Sequence, residues 1–171
     1  MERNDAIKQN NNIAIQRYQF AADCIGGTRN VLEIGCGLGY GSSILKGLFN
    51  TVTGIDKSTE AIEYAKANYP MAEYKVVDVE NDEFDYFAFD VAIFFETLCH
   101  LKNPQKFIDK IKTKELVISA PRDRNPNDGY KWRLHNLSEQ QFRDMLKDWD
   151  ILRELNQKDK YLVLYCKKKN I

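Results

Sequence analysis

Between Asn30 and Pro121, short apolar runs alternate with segments of helical spacing, and no other feature of the chain narrows its fold as much. NVLEIG, TVTGID, EYKVVD, DVAIFF and ELVISAP read as strands, with SSILKGLF, STEAIEYAKANY and PQKFIDKI as helices between them. A strand that is apolar along its length needs cover on both faces. The order therefore implies βαβ units and a mostly parallel sheet between two helical layers. Ser58 is placed to cap the second of these helices, Pro70 follows its end, and Pro104 falls in the first turn of the third.

The flanking segments extend this plan. Ile13, Arg17, Phe20, Ala21 and Cys24 share a helical face that Gly26 and Gly27 bring to a stop. Ser138 opens a helix in SEQQFRDMLKD. WDILRELNQ and YLVLYCKK are separated only by KDK, too short for a helix, so they form an antiparallel hairpin. The expectation is an α/β fold: a Rossmann-like, doubly wound, seven-stranded, mostly parallel sheet ending in an antiparallel β-hairpin. A single domain over 1–171 accounts for every segment, with 1–12 flexible and 122–137 an irregular polar loop.

Lysine plus arginine and aspartate plus glutamate number 25 each, so no net positive field gathers a polyanion, which argues against nucleic acid as a partner. Lys167, Lys168 and Lys169 read as a solvated tail. Cys24, Cys36, Cys99 and Cys166 form neither a C-x-x-C pair nor a disulfide-like spacing, which suits a reducing compartment. The polar opening MERNDAIKQNNN lacks the apolar core of a signal peptide, and no apolar run approaches the roughly 20 residues of a membrane span. A cytoplasmic chain, without a membrane partner and present as monomer or homodimer, is expected.

VLEIGCGLGYGS, after the first strand, holds four of the nine glycines: Gly35, Gly37, Gly39 and Gly41. A dinucleotide fingerprint needs glycine at i, i+2 and i+5, yet the third position is Tyr40 counted from Gly35 and Ser42 counted from Gly37. A P-loop is excluded because no Gly-Lys-Ser/Thr follows. The segment reads E-x-G-x-G-x-G from Glu33, with acidic residues Asp56 and Asp78 ending the second and third strands. On the glycines alone, a tight strand-to-helix turn without a ligand remains open.

In these residues, and over about residues 13 to 166, the chain resembles the class I S-adenosylmethionine-dependent methyltransferases, in particular small single-domain members of bacterial or viral type. The resemblance implies S-adenosyl-L-methionine as cofactor, with the main chain of Gly35, Cys36, Gly37 and Gly39 passing against its amino-acid end. Glu33 would set a carboxylate near its cationic groups. Asp56, with Lys57 beside it, would accept from the ribose hydroxyls, and Asp78 and Val79 would meet the adenine. Tyr18, in RYQFAA, stands where a tyrosine approaches the methionine end, with Arg17 nearby for the carboxylate; Phe95 completes the cofactor set.

FDVAIFFETLCHLKNP resembles the family stretch that leaves the fourth strand, with Asp90, Phe95, Glu96 and His100 matching. Cys99 stands where related enzymes carry the second glutamate of a metal-ligating E-x-x-E-H segment, and Arg133 where some carry a further metal histidine. A thiol in place of a hard carboxylate removes affinity for Mg²⁺ or Mn²⁺, so no metal site is assigned. Glu96, His100 and His135 are the candidate catalytic groups, the histidines because an imidazole accepts a proton near neutral pH. Packing roles for both histidines stay open. Tyr130, Trp132 and Arg133 lie in the 122–137 loop, which reads as the acceptor lid.

The implied activity is methyl transfer to an oxygen or nitrogen of a small-molecule or saccharide acceptor. The alternatives are RNA ribose 2′-O-methylation and a non-catalytic cofactor-binding subunit of a methyltransferase complex.

Overall fold

A computed structural model describes residues 11–27, 29–121, 134–157 and 161–169. In chain order the elements are α1 (Asn11–Ile25), β1 (Asn30–Ile34), α2 (Tyr40–Lys46), β2 (Thr51–Asp56), α3 (Thr59–Asn68), β3 (Glu73–Val76), β4 (Val91–Phe94), α4 (Pro104–Lys110), β5 (Glu115–Pro121), α5 (Glu139–Asp144), β6 (Trp149–Gln157) and β7 (Tyr161–Lys168). The seven strands form one sheet in the order β3-β2-β1-β4-β5-β7-β6. β1 to β5 run parallel, and β7 is antiparallel to both β5 and β6. The expected doubly wound sheet with its closing hairpin is what forms.

Strand alternation sends successive side chains to opposite helical layers. Leu32 and Ile34 of β1 pack with Phe94, Leu116 and Ile118 against Phe107 and Ile108 of α4 and Phe142 of α5. Val31 joins Ile93 and Val117 against Phe20 and Ala21 of α1, Leu45 of α2 and Ala65 of α3. Glu33, two residues after Val31, therefore points into the layer of α1 and α2. That placement of a carboxylate shapes the site.

Helix starts follow their capping chemistry. Ser58 accepts from the Ala61 amide at 3.2 Å at the start of α3, and Ser138 and Gln141 make a reciprocal capping box at α5. α2 is shorter than its pattern suggests: it ends at Lys46, and the chain leaves by a turn at Gly47. Two 3₁₀ turns, Tyr86–Ala88 and Leu98–His100, carry too few residues to register as periodicity. No helix among the described residues is long and apolar enough to cross a membrane.

In this strand order β1 and β4 are neighbours, and the connections leaving them run to opposite sides of the sheet. Loops after their carboxyl ends diverge there and leave a crevice, the position at which open α/β sheets bind ligands.

Candidate functional site

The turn after β1 opens into that crevice. Its start is pinned to β2 by the amides of Gly35 and Cys36, which donate to the Ile55 carbonyl at 2.8 and 3.0 Å. Gly35, Gly37 and Gly39 have φ of 73°, 53° and 84°, a region that side chains disfavour. A Cβ on Gly35 would press into Thr97, whereas one on Gly37 would meet nothing within 4 Å. The main chain at Gly37 thus faces open space at the crevice.

Asp56, the last residue of β2, holds this turn. Its Oδ2 accepts from the Gly37 amide and its Oδ1 from the Ser58 amide, each at 2.9 Å, so one carboxylate joins the glycine turn to the start of α3. Each oxygen keeps a further lone pair for a ligand hydroxyl.

Glu33 is only 4% exposed. Its Oε1 accepts from the Tyr18 hydroxyl at 2.6 Å and its Oε2 from the Ser42 hydroxyl, so α1 and α2 both close on it. Burial, reinforced by the charge of Asp56, pushes its carboxyl up to about 7, although both hydroxyls pull the other way. Burial and the Glu33 charge also hold the Tyr18 hydroxyl well above its ordinary value. The Cys36 thiol is raised by burial and then by Glu33 and Asp56, which keeps it neutral. Each Glu33 oxygen thus holds one protein hydroxyl, which ties α1 and α2 to the carboxylate.

Asp78 lies two residues past β3 in a compact turn, accepting from the Glu80 amide at 3.0 Å and from Asn81 Nδ2 at 2.8 Å. The Glu80 amide, then Asn81 and the nearby Lys57, hold its carboxyl below its ordinary value. Val79 is buried beside it and Lys57 is exposed.

After β4, Phe95 packs edge-on against Tyr18 with ring centroids 5.1 Å apart. Glu96 follows with φ 59°, the one positive φ outside glycine among the described residues. Its amide donates to Ser119 Oγ at 3.1 Å, the Ser119 hydroxyl donates back to Glu96 Oε1 at 3.1 Å, and Arg17 Nη1 lies 3.5 Å from the same oxygen. Cys99 is buried, with its thiol 3.4 Å from the Glu96 carbonyl. The Leu134 amide donates to the Cys99 carbonyl at 2.7 Å, and His135 Nε2 lies 3.2 Å from the Lys102 carbonyl. A carbonyl only accepts, so Nε2 is the donor in this contact. His100 and His135 thus come onto neighbouring segments at the carboxyl end of β4. Tyr130, Trp132 and Arg133, read from the sequence as part of an acceptor lid, lie outside the described residues, as do residues 1–10.

Arg17 is engaged by the β6–β7 hairpin and by Glu96. Its Nε donates to Gln157 Oε1 at 2.7 Å and its guanidinium stacks 4.3 Å from the Tyr161 ring centroid. Sequence reasoning missed Ser42, Ser119, Gln157 and Tyr161 as parts of this neighbourhood. Ser119 alone carried a legible signal: it is a hydroxyl near the carboxyl end of a strand that is buried throughout. Among the described residues, no group of three His, Cys, Asp or Glu side chains is arranged to hold a metal ion.

Known proteins resemble this chain in sequence and in fold. Residues 32–114 match the model of a family described as a methyltransferase domain. A ubiquinone biosynthesis O-methyltransferase of Alkalilimnicola ehrlichii is 30% identical over 121 residues, covering 64% of this chain and 49% of that protein. A protein of Invertebrate iridescent virus 6 that carries a methyltransferase name is 38% identical over 85 residues, 47% of this chain and 31% of its own length. The chain spans half or less of the length of such curated relatives. Among solved structures, magnesium protoporphyrin IX methyltransferase from Synechocystis, with bound SAH, superposes with a TM-score of 0.74 at 15% identity, covering 95% of this chain and 84% of that one. The N-methyltransferase NodS from Bradyrhizobium japonicum gives 0.72 at 16% identity, covering 94% and 99%. At such identities these structures share the fold.

Proposed function

With residues 32–114 taken as a class I S-adenosylmethionine-dependent methyltransferase domain, we propose that this chain binds S-adenosyl-L-methionine in the crevice between β1 and β4 and methylates an oxygen or nitrogen of a small molecule, sugar or metabolite. The observation that carries the reading is the turn after β1: Gly37 faces open space at the strand-order reversal, and Asp56 is tied directly to its amide. The relatives named ubiquinone biosynthesis O-methyltransferases support oxygen as the accepting atom.

The residues present fit this cofactor. Gly35 and Gly37 would receive its amino-acid end and Asp56 its ribose hydroxyls, while Asp78 and Val79 would meet the adenine. The carboxylates of Glu33 and Asp56 favour a cation over a diphosphate at this end of the crevice. When bound, S-adenosylmethionine supplies a methyl group already activated by its sulfonium, so the protein's task is alignment and exclusion of water. Tyr18 and Phe95, packed edge to face, wall off the methionine end. Glu96 orients the acceptor from the β4 side, and His100 or His135 accepts the proton if the acceptor is a hydroxyl.

Titration calorimetry with S-adenosylmethionine and S-adenosylhomocysteine, followed by transfer of a tritiated methyl group into fractionated cell extract, tests the reading. Binding of both and label in a small-molecule fraction are expected. Folded protein that binds neither refutes it, label confined to RNA replaces it with ribose methylation, and binding without any labelled product leaves a non-catalytic subunit.

A further inference from the structure

We propose that Arg17 is a positioning residue for methyl transfer: it acts through Glu96 on the acceptor side rather than by contacting the cofactor. The inference rests on the proposed function and assigns a role that the glycine turn does not require.

Three features of the structure converge on it. Glu96 is held at φ 59°, a conformation that a non-glycine residue keeps only where its surroundings over-determine it. The surroundings are specific. Ser119, fully buried in β5, accepts from the Glu96 amide and donates to Oε1, so one hydroxyl fixes both backbone and carboxylate. Arg17 brings its guanidinium to the same oxygen while only 7% exposed itself.

Arg17 is aimed from behind. Gln157 takes its Nε at 2.7 Å, the Tyr161 ring stacks on its guanidinium, and Gln157 Nε2 donates to the Ile13 carbonyl at 2.8 Å, which returns the network to α1. A buried cation and a left-handed glutamate both oppose stability, and glycine at 96 would satisfy the backbone alone. The arrangement is explained if the carboxylate has to point in one direction.

Position says which. Thr97, the next residue, lies against Gly35 and within 3.2 Å of the Ile34 carbonyl, so Glu96 sits one residue from the glycine turn and on its β5 side. Its side chain is 31% exposed and so reachable from solvent, whereas the guanidinium behind it is not.

The test is a double-mutant cycle of Arg17→Met and Glu96→Gln in the full chain. It is read by S-adenosylhomocysteine affinity and by the rate of tritiated methyl transfer from S-adenosylmethionine into small-molecule extract. Arg17→Met should keep S-adenosylhomocysteine affinity within about twofold and KM for S-adenosylmethionine unchanged, and lower turnover about tenfold or more, as misplacement of an orienting group does. The double variant should be no slower than the slower single one, because one residue acts through the other. Arg17→Lys, which keeps the buried cation but not the planar fork, runs the same cycle should Arg17→Met fail to fold.

A roughly tenfold loss of S-adenosylhomocysteine affinity, or turnover losses that multiply in the double variant, overturns the inference while leaving the proposed function intact. Wild-type protein that binds S-adenosylhomocysteine yet labels no fraction overturns both.

Discussion

Glu33→Gln separates what the fold needs from what the site needs. The Glu33 carboxyl rises from 4.5 to about 7 because it is buried between α1 and α2. Below pH 4.5 it is protonated whether the chain is folded or not, so it carries no penalty. As pH rises toward 7 the unfolded chain ionises freely while the folded one resists, so stability is lost across that window. At 1.36 kcal/mol per pH unit, the loss at pH 8 is roughly 3 kcal/mol. Glutamine has nearly the same shape, and its amide oxygen still accepts from Tyr18 or Ser42. The variant should therefore match wild type near pH 4 and exceed it by up to about 3 kcal/mol at pH 8, a Tm higher by roughly 6–12 °C for a domain of this size. Urea unfolding at the two pH values measures the difference, and other titrating groups cancel because both proteins carry them. A variant less stable than wild type at pH 8, or a difference that does not change with pH, refutes the reasoning. The same variant should bind S-adenosylhomocysteine more weakly, a loss of function accompanying a gain of stability.

Gly41→Ala tests the packing over the same carboxylate. Helix propensity alone favours alanine by about 1 kcal/mol, but the new Cβ would strike the Tyr18 hydroxyl and Glu33 Oε1. A net loss of about 2 kcal/mol and a Tm lower by several degrees are expected; a rise in Tm shows that Tyr18 yields without cost. Asp56→Ala, which removes the acceptor of the Gly37 and Ser58 amides, should weaken S-adenosylhomocysteine binding about tenfold; unchanged affinity in calorimetry excludes Asp56 from the site. Binding of that ligand at pH 6.5 should release protons as Glu33 ionises beside the incoming ammonium group. Calorimetry in buffers of different ionisation enthalpy detects this, and the release should vanish in Glu33→Gln.

Much of the molecule was legible in local pattern. Apolar runs bounded by turn residues located all seven strands, and β2 and β5 keep the expected limits, Thr51–Asp56 and Glu115–Pro121. Glycine spacing removed two phosphate-binding motifs and left a turn that follows β1, with Asp56 against Gly37; the third strand stops at Val76, so Asp78, read as its last residue, lies in the turn beyond it. α2 was overestimated at its carboxyl end because periodicity continued through Gly47, where the backbone did not.

The sequence by itself determined which segments become strands and helices, and where a glycine turn must open, because each depends on neighbours two to four residues apart. Only the tertiary structure decided the partners of the charged groups. Tyr18 closes on Glu33 because α1 docks over β1. Arg17 meets Gln157, 140 residues away, because the β6–β7 hairpin returns beside β5. Glu96 adopts its left-handed backbone because Ser119 of the neighbouring strand accepts its amide. Contacts between residues so far apart leave no periodic trace in the chain, so where each buried charge points is settled only when the layers pack.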